Sequence, residues 1–363
     1  MLSRVADSIF WMQRYRERAE NIARLIDVNL YLSIDAPGDG RTQWEPIIAT
    51  TGEQSLFAEI YCTPTDKNVI EFLTFNEKNP NSIINCVRSA RDNARSVREA
   101  ITSDMWNELN QLYLFVETSA MKRGRPDSLY EFYQEVKRRC QLFTGITDTT
   151  MSHNDCWNFG RLGYLLERAD QTSRILDVKY FILLPSPNHV GTAYDDIQWA
   201  ALLKSVSALE MYRKKWQDIR HNNVIDFLIL DTYFPRSVYS CLRRASESLK
   251  DVSGGLTERD PDERDRRPPG VPANETQGQD PAFLLDGLCR RLEEMKVYEI
   301  VKMGLHEFVD DLQSQIAKLT GSISKRFFAP PPPAFQTQAQ EAPDDKPKKP
   351  KAAPLQILVQ TES

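Results

Sequence analysis

"ERAENIARLIDV", residues 17–28, and "ERADQTSRILDV", residues 167–178, are one charged phrase written twice, 150 positions apart. Self-similarity of this kind sets the architecture, and it extends along the chain. The offset grows to 155 where Gln43-Trp44 matches Gln198-Trp199, and "NVIEFLTFNEKNPNSIINCVRSA" from Asn68 matches "NVIDFLILDTYFPRSVYSCLRRA" from Asn223. Pro80 then aligns with Pro235, Ser82 with Ser237, Cys86 with Cys241 and Arg88 with Arg243. A last pair, "LYEFYQEVKRRCQLFTGI" from Leu129 and "LHEFVDDLQSQIAKLTGS" from Leu305, stands at an offset of 176. The chain reads as two repeat units, residues 1–150 and 151–327. The extra residues fall in 252–281, a stretch rich in Pro, Gly and charge that is expected to be a disordered insertion. Residues 328–363, with four consecutive prolines and Lys-Pro repeats, read as a disordered Pro/Lys-rich tail.

Apolar residues recur at helical spacing. Ile83, Val87, Ala90, Ala94, Val97 and Ile101 step by four and three, and Val238, Leu242, Ala245, Leu249 and Val252 do the same. Pro80 and Pro235 stand near the starts of these helices, where a missing N–H does least harm. The opening helix of each unit is expected to start near a cap at Ser3 or Ser152. Along the first, Leu2, Val5, Ile9, Met12, Ala19, Ala23, Ile26 and Leu30 form an apolar face interrupted only by Arg16. Such faces are buried against one another, so the fold class is all-α. It is read as two tandem duplicated helical bundles of four or five helices each, related by a pseudo-twofold.

The totals bound the function. Among 363 residues, 41% are hydrophobic and 27% charged, and the net charge is −5, which gives no global attraction to nucleic acid or anionic lipid. Arg4 and Asp7 break the amino-terminal stretch as a secretion signal, and no apolar run approaches the roughly 20 residues of a membrane span, so a cytoplasmic protein is expected. The six cysteines form no CxxC pair and predict neither zinc nor a disulfide framework.

Chemistry has to come from the charged phrase. Glu17, Glu20, Arg24 and Asp27 share one helix face, repeated as Glu167, Asp170, Arg174 and Asp177. Exposed i,i+4 pairs are each worth only a few tenths of a kcal/mol, too little to account for a phrase kept twice. One reading buries the carboxylates against guanidinium groups of the third helix, where Arg88, Arg91, Arg95 and Arg98 form a stripe echoed by Arg243. The other lines a groove in which Arg4, Arg14, Arg88 and Arg91, with the acidic stripe, bind a peptide terminus, a carboxylate or a phosphate. The candidate binding set is Arg4, Arg14, Glu17, Glu20, Arg24, Arg88, Arg91, Glu167, Asp170, Arg174 and Arg243.

Other signatures are missing. None of the four His has Glu three residues before it, so the di-iron pattern is absent and neither metal nor cofactor is expected. The chain has no phosphate-binding loop, dinucleotide fingerprint, HExxH or GxSxG. Cys156 near His153 invites a nucleophile reading, but three residues of separation do not make a triad.

"MLSRVADSIFWMQRYRERAENIARLIDV" and "FLILDTYFPRSVYSCLRRA" together resemble the alpha-E domain family of bacterial all-helical proteins, over residues 1–327. Gln13 stands where the family usually has the glycine of Gly-Arg-Tyr. The resemblance implies a setting: such proteins are typically encoded beside a circularly permuted ATP-grasp ligase and a transglutaminase-like peptidase, in systems that make or modify a peptide. It also implies a family-typical charged set of Ser3, Arg4, Arg14, Glu17, Arg18, Glu20 and Arg24. The leading expectation is a helical accessory protein that binds the ligase or its peptide through the Glu/Arg stripes. An enzyme using them for general acid–base work and a purely structural scaffold are the alternatives.

Overall fold

Two long helices that cross each other organise everything else. A computed structural model describes residues 3–35, 41–121, 128–183, 193–257 and 280–329, and all regular structure among them is helical. Helix α1 spans Ser3–Asp35 and α8 spans Asp155–Leu183, and they pack along one another more extensively than any other pair. Close approach is possible because α8 carries two glycines at the crossing. A Cβ on Gly163 would lie 2.4 Å from the Phe10 carbonyl oxygen, and one on Gly160 would lie 3.2 Å from the Ile9 side chain. The first is shorter than any real contact, so α1 and α8 meet backbone to backbone there.

Each long helix is then flanked in the same manner. Helices α2 (Arg41–Thr51), α3 (Gln54–Ile60), α4 (Asp66–Thr74), α5 (Ile83–Ser96), α6 (Ser103–Met121) and α7 (Leu129–Thr150) follow α1. After α8 come α9 (Ala193–Ser205), α10 (Leu209–Lys215), α11 (His221–Ile225), α12 (Val238–Thr257), α13 (Pro281–Glu294), α14 (Val297–Met303) and α15 (Leu305–Ile323). π-helical turns at Asp226–Leu230 and Ser324–Phe328 extend α11 and α15. Helix α1 packs on α5 and α7, and α8 packs on α12 and α15. The second helix of each half crosses over: α2 lies on α8, and α9 lies on α1. Helices α3, α4 and α5 begin 155 residues before α10, α11 and α12.

The apolar seams are buried as their spacing requires. Ile83, Val87, Ala90, Ala94 and Val97 are buried on α5 and its C-cap, as are Val238, Leu242, Ala245, Leu249 and Val252 on α12. They belong to one continuous core that runs from Ala6 to Phe327, with Trp44 and Trp199 both inside it. The turns before α5 and α12 are built alike, because Ser82 and Ser237 each accept an N-terminal amide of the helix that follows, from Asn85 and Ser240. Gly52 and Ser207, again 155 residues apart, both adopt positive φ after the second helix of their half.

Several expectations change. The described residues hold seven helices up to Thr150 and eight after it, where four or five per half were expected. The additional ones include α3, α10, α11 and α14, which at five to seven residues are too short to show a hydrophobic period. Helix α8 starts at Asp155 with the Asn154 side chain accepting the amides of Cys156 and Trp157, so the cap is Asn154 and not Ser152. The expected disordered insertion is trimmed at both ends. Residues up to Thr257 continue α12, and Asp280 caps α13 with Pro281 at its first position. Residues 258–279 and 330–363, the remainder of that insertion and nearly all of the tail, lie outside the described residues.

Candidate functional site: a buried Glu/Arg exchange

The repeated Glu-Arg dipeptide lies where α1 meets α8, and each copy engages the other. The Arg168 guanidinium donates two parallel bonds to Glu17, from Nε to Oε1 at 2.8 Å and from Nη2 to Oε2 at 2.9 Å. Arg18 does the same to Glu167, from Nε to Oε1 at 2.6 Å and from Nη2 to Oε2 at 3.0 Å. Adjacent residues on a helix point about 100° apart, so a Glu that faces the partner helix squarely leaves the following Arg to reach around it. The fork of the guanidinium suits that oblique two-point grip.

Further cations close the cluster. Arg14 donates to Glu167 at 2.9 Å and to the Thr320 hydroxyl of α15. Arg236, from the turn before α12, donates to Glu17, Asn21 and Glu20, the last at 2.7 Å. Arg16 is fully buried; its Nη1 bridges Glu17 and Glu20 at 3.0 and 3.1 Å and its Nη2 donates to the Gln13 side-chain oxygen. Arg24 grips Glu20 and reaches Ser207 of the other half, just as Arg174, bonded to Asp170, lies against Gly52. Glu17 and Glu167 are 0% exposed and Glu20 is 1% exposed. Six guanidinium groups therefore surround three carboxylates out of contact with water.

That surplus of positive charge fixes the protonation states. Burial pushes the Glu17 carboxyl upward, but Arg168, Arg236 and Arg16 outweigh it and hold it well below the usual carboxylate range. For Glu167 the same contest, won by Arg18 and Arg14, ends at about 2. Glu20 is also lowered, with the nearby Glu17 working against Arg236 and Arg24. Burial and the neighbouring Arg168 charge bring Arg236 down to about 10, whereas the bidentate partners Arg18 and Arg168 are raised by their glutamates. Carboxylates this weakly basic, buried and saturated with donors are poorly matched to proton transfer near neutral pH.

The expected partnership with the third helix is not what forms. Arg88 donates to Glu77 and Asn85, both at 2.9 Å, on a half-exposed surface. Arg91 donates to Asn110 and lies over the Tyr113 ring at 4.6 Å, and Arg98 covers Trp106. The face of α5 directed at α1 carries the Ala and Val seam, which leaves these arginines on the side of α6 and water. Of the sequence-derived candidates, the structure gathers Arg14, Glu17, Glu20, Arg24 and Glu167 at the crossing, with Asp170 and Arg174 at its edge. Arg4 is exposed on the first turn of α1, and Arg88, Arg91 and Arg243 lie elsewhere. Spacing along one helix face does not single out Arg16, Arg168 and Arg236, and Arg18 enters only through the family-typical charged set. Arg18 and Arg168 stand inside the repeated phrase itself, each one residue after the glutamate that marks the face. Arg236 escaped because Asn81 holds its place in the other half, where it accepts from Arg18 at 2.6 Å.

The thiols follow the same logic. Cys86 beside Arg18 and Cys241 beside Arg168 are pushed up by burial to about 12 and about 11. His153 stacks on Trp157 at 3.9 Å and bonds the Asp148 carbonyl oxygen, and the Cys156 thiol is raised by burial, a setting that does not activate it.

A family defined by a helical domain with a conserved Glu-Arg motif matches residues 1–328. The chain belongs to the Alpha-E family. Uncharacterised proteins of Mycobacterium bovis and of two Mycobacterium tuberculosis strains are each 24% identical to it over 272 residues. That match covers 69% of this chain but 30% of each relative, so the chain spans under a third of the length of these curated relatives. No solved structure matches it significantly. No described helix is long and apolar enough to cross a membrane.

Proposed function

We propose that this Alpha-E chain is a non-catalytic helical accessory protein whose Glu-Arg phrase is an internal lock, and whose outer faces meet a partner. The reciprocal bidentate grip of Arg168 on Glu17 and of Arg18 on Glu167 carries this reading. Every carboxylate in it is buried and already satisfied from within the chain, which leaves little for a substrate to bind and a great deal that fixes how α1 crosses α8. The Glu-Arg motif of the family is taken to be these two dipeptides.

In this reading residues 1–150 and 151–327 are two copies of one unit, related by a pseudo-twofold through the crossing. The exchange of α2 and α9, the matched helix starts and the paired positive-φ positions at Gly52 and Ser207 support it. The partner, by family resemblance, is a circularly permuted ATP-grasp ligase working with a transglutaminase-like peptidase on a peptide. Support comes from the mycobacterial relatives, in which the matched region is under a third of a longer chain, so that helical units of this kind occur joined to other sequence. The test is to mix the full chain with a circularly permuted ATP-grasp ligase from the same organism at about 10 µM, well above the dissociation constant of a specific complex, and to follow both by size-exclusion chromatography. A joint peak is expected; independent elution of two folded proteins overturns the accessory role.

A further inference from the structure

Arg243 and Arg88 stand 155 residues apart on α12 and α5, yet their surroundings differ. Arg88 is occupied by Glu77 and Asn85, each at 2.9 Å. The positions 155 residues beyond those two partners are Thr232 and Ser240, neither of which supplies a carboxylate or an amide oxygen. Among the described residues Arg243 keeps one 3.5 Å contact, with Oε1 of Glu247, whose Oε2 is held more closely by Arg161 at 3.1 Å. Arg243 is thus left with one long contact and a half-exposed guanidinium that faces open space.

That space is a cleft of about 490 Å³, within the range of small-molecule sites, lined by Thr232, Tyr239 and Arg243 together with Glu293, Lys296 and Val297. Two features that the first half lacks shape it. The π-helical turn Asp226–Leu230 contributes Asp226 and Leu230, where α4 is a plain α-helix, and the junction of α13 with α14 contributes Leu292 and Met295. π turns of this kind recur at functional sites. The walls carry two cations and two anions. Asp226 is held 3.6 Å from Lys215, whereas Glu293 and Lys296 are exposed and make no ion pair among the described residues.

We infer that this cleft binds a zwitterionic ligand of the amino-acid or short-peptide class. Arg243, with Lys296 beside it, takes the carboxylate; Glu293 takes the ammonium group; Leu230, Leu292 and Val297 receive an apolar side chain. The guanidinium supplies the two-point recognition that a terminal carboxylate requires. This site stands apart from the α1–α8 crossing and does not depend on the ligase partnership, so either can fail alone.

The test uses the full chain and the dipeptide L-alanyl-L-leucine, with its C-terminal amide and its N-acetyl derivative as probes lacking one charge each. Calorimetric titration is expected to give a dissociation constant of about 1 mM or tighter for the dipeptide, and binding at least about tenfold weaker for both derivatives. Arg243→Gln is expected to weaken dipeptide binding at least about tenfold, or about 1.4 kcal/mol, while Arg88→Gln leaves it unchanged. Arg243 is half-exposed, so its substitution leaves the fold intact, which circular dichroism checks. Absence of dipeptide binding to the unaltered chain, or equal binding by the amide or by the Arg243 variant, overturns the assignment.

Discussion

Glu167→Gln is the sharpest probe of the crossing, because it removes a charge without removing volume. In the native chain Glu167 accepts from Arg14 and from both arms of Arg18. Its carboxyl is held at about 2 against the ordinary 4.5, and that difference corresponds to on the order of 3 kcal/mol of stability at neutral pH. Breaking one partner out of a buried ion pair costs about 3–5 kcal/mol by a separate route, because the remaining charges stay buried and uncompensated. The two agree on a loss of roughly 3–4 kcal/mol. In urea, with a slope on the order of 3 kcal/mol per molar for a chain of this size, the unfolding midpoint should fall by about 1 M. Adding Arg18→Gln should cost less than the sum of the single changes, with a coupling above about 1 kcal/mol. Replacing Arg14, Arg18 and Glu167 together by Met should recover most of the loss, since apolar side chains of similar bulk need no counter-charge. A loss below about 1 kcal/mol for Glu167→Gln, or no coupling to Arg18, would refute the account of the lock.

Acid provides a second measure. Because the folded carboxyls of Glu17, Glu20 and Glu167 titrate below their unfolded values, their contribution is complete above about pH 4.5 and fades as pH falls through the folded value, about 2 for Glu167. The stability gap between the native chain and Glu167→Gln should therefore close over that window, as urea titrations at successive pH values would record. Gly163→Ala should cost about 1–3 kcal/mol by forcing α8 off the Phe10 backbone, whereas Gly145→Ala, on an exposed face of α7 with nothing near the new methyl group, should gain about 0.5–1 kcal/mol; thermal unfolding separates the two. Gly52→Ala, at φ 74°, should lose about 1–2 kcal/mol from left-handed strain in the same assay. A colourless thiol reagent with a mass readout should modify exposed Cys62 in the native chain and reach Cys86, Cys140 and Cys241 only after denaturation.

The sequence carried the large features well, for reasons that are local. Seam positions such as Val87, Ala90 and Ala94 announce a buried helix face because burial repeats every third or fourth residue. The repeated phrase marks the two long opening helices, but not that they cross each other. What periodicity could not give is which charges meet, since that depends on the rotation and distance between two helices far apart in the chain. Arg16 looked like a flaw in an apolar face and is instead fully enclosed by Glu17, Glu20 and Gln13. The asymmetry between Arg236 and Asn81 conceals the former in the repeat, whereas the third-helix arginines form a tidy stripe that faces α6 and water. A stripe tells where a face is but not what lies opposite it. The glycines that let α1 and α8 touch were legible only in retrospect, because Gly160 and Gly163 sit in a helix interior where only a close neighbour explains them.

The crossing over of α2 onto α8 and of α9 onto α1 bears on how the polypeptide tolerates being severed. Each half donates a segment to the other and shares the guanidinium–carboxylate clasp, so neither piece alone covers the greasy surface it presents. A nick in the exposed linker at Ser152 or His153, ahead of the Asn154 cap, would leave the pieces clasped, in the manner of a noncovalent dimer formed from two different peptides. Coexpressed fragments ending and starting at that linker are thus expected to reassemble through the crossing.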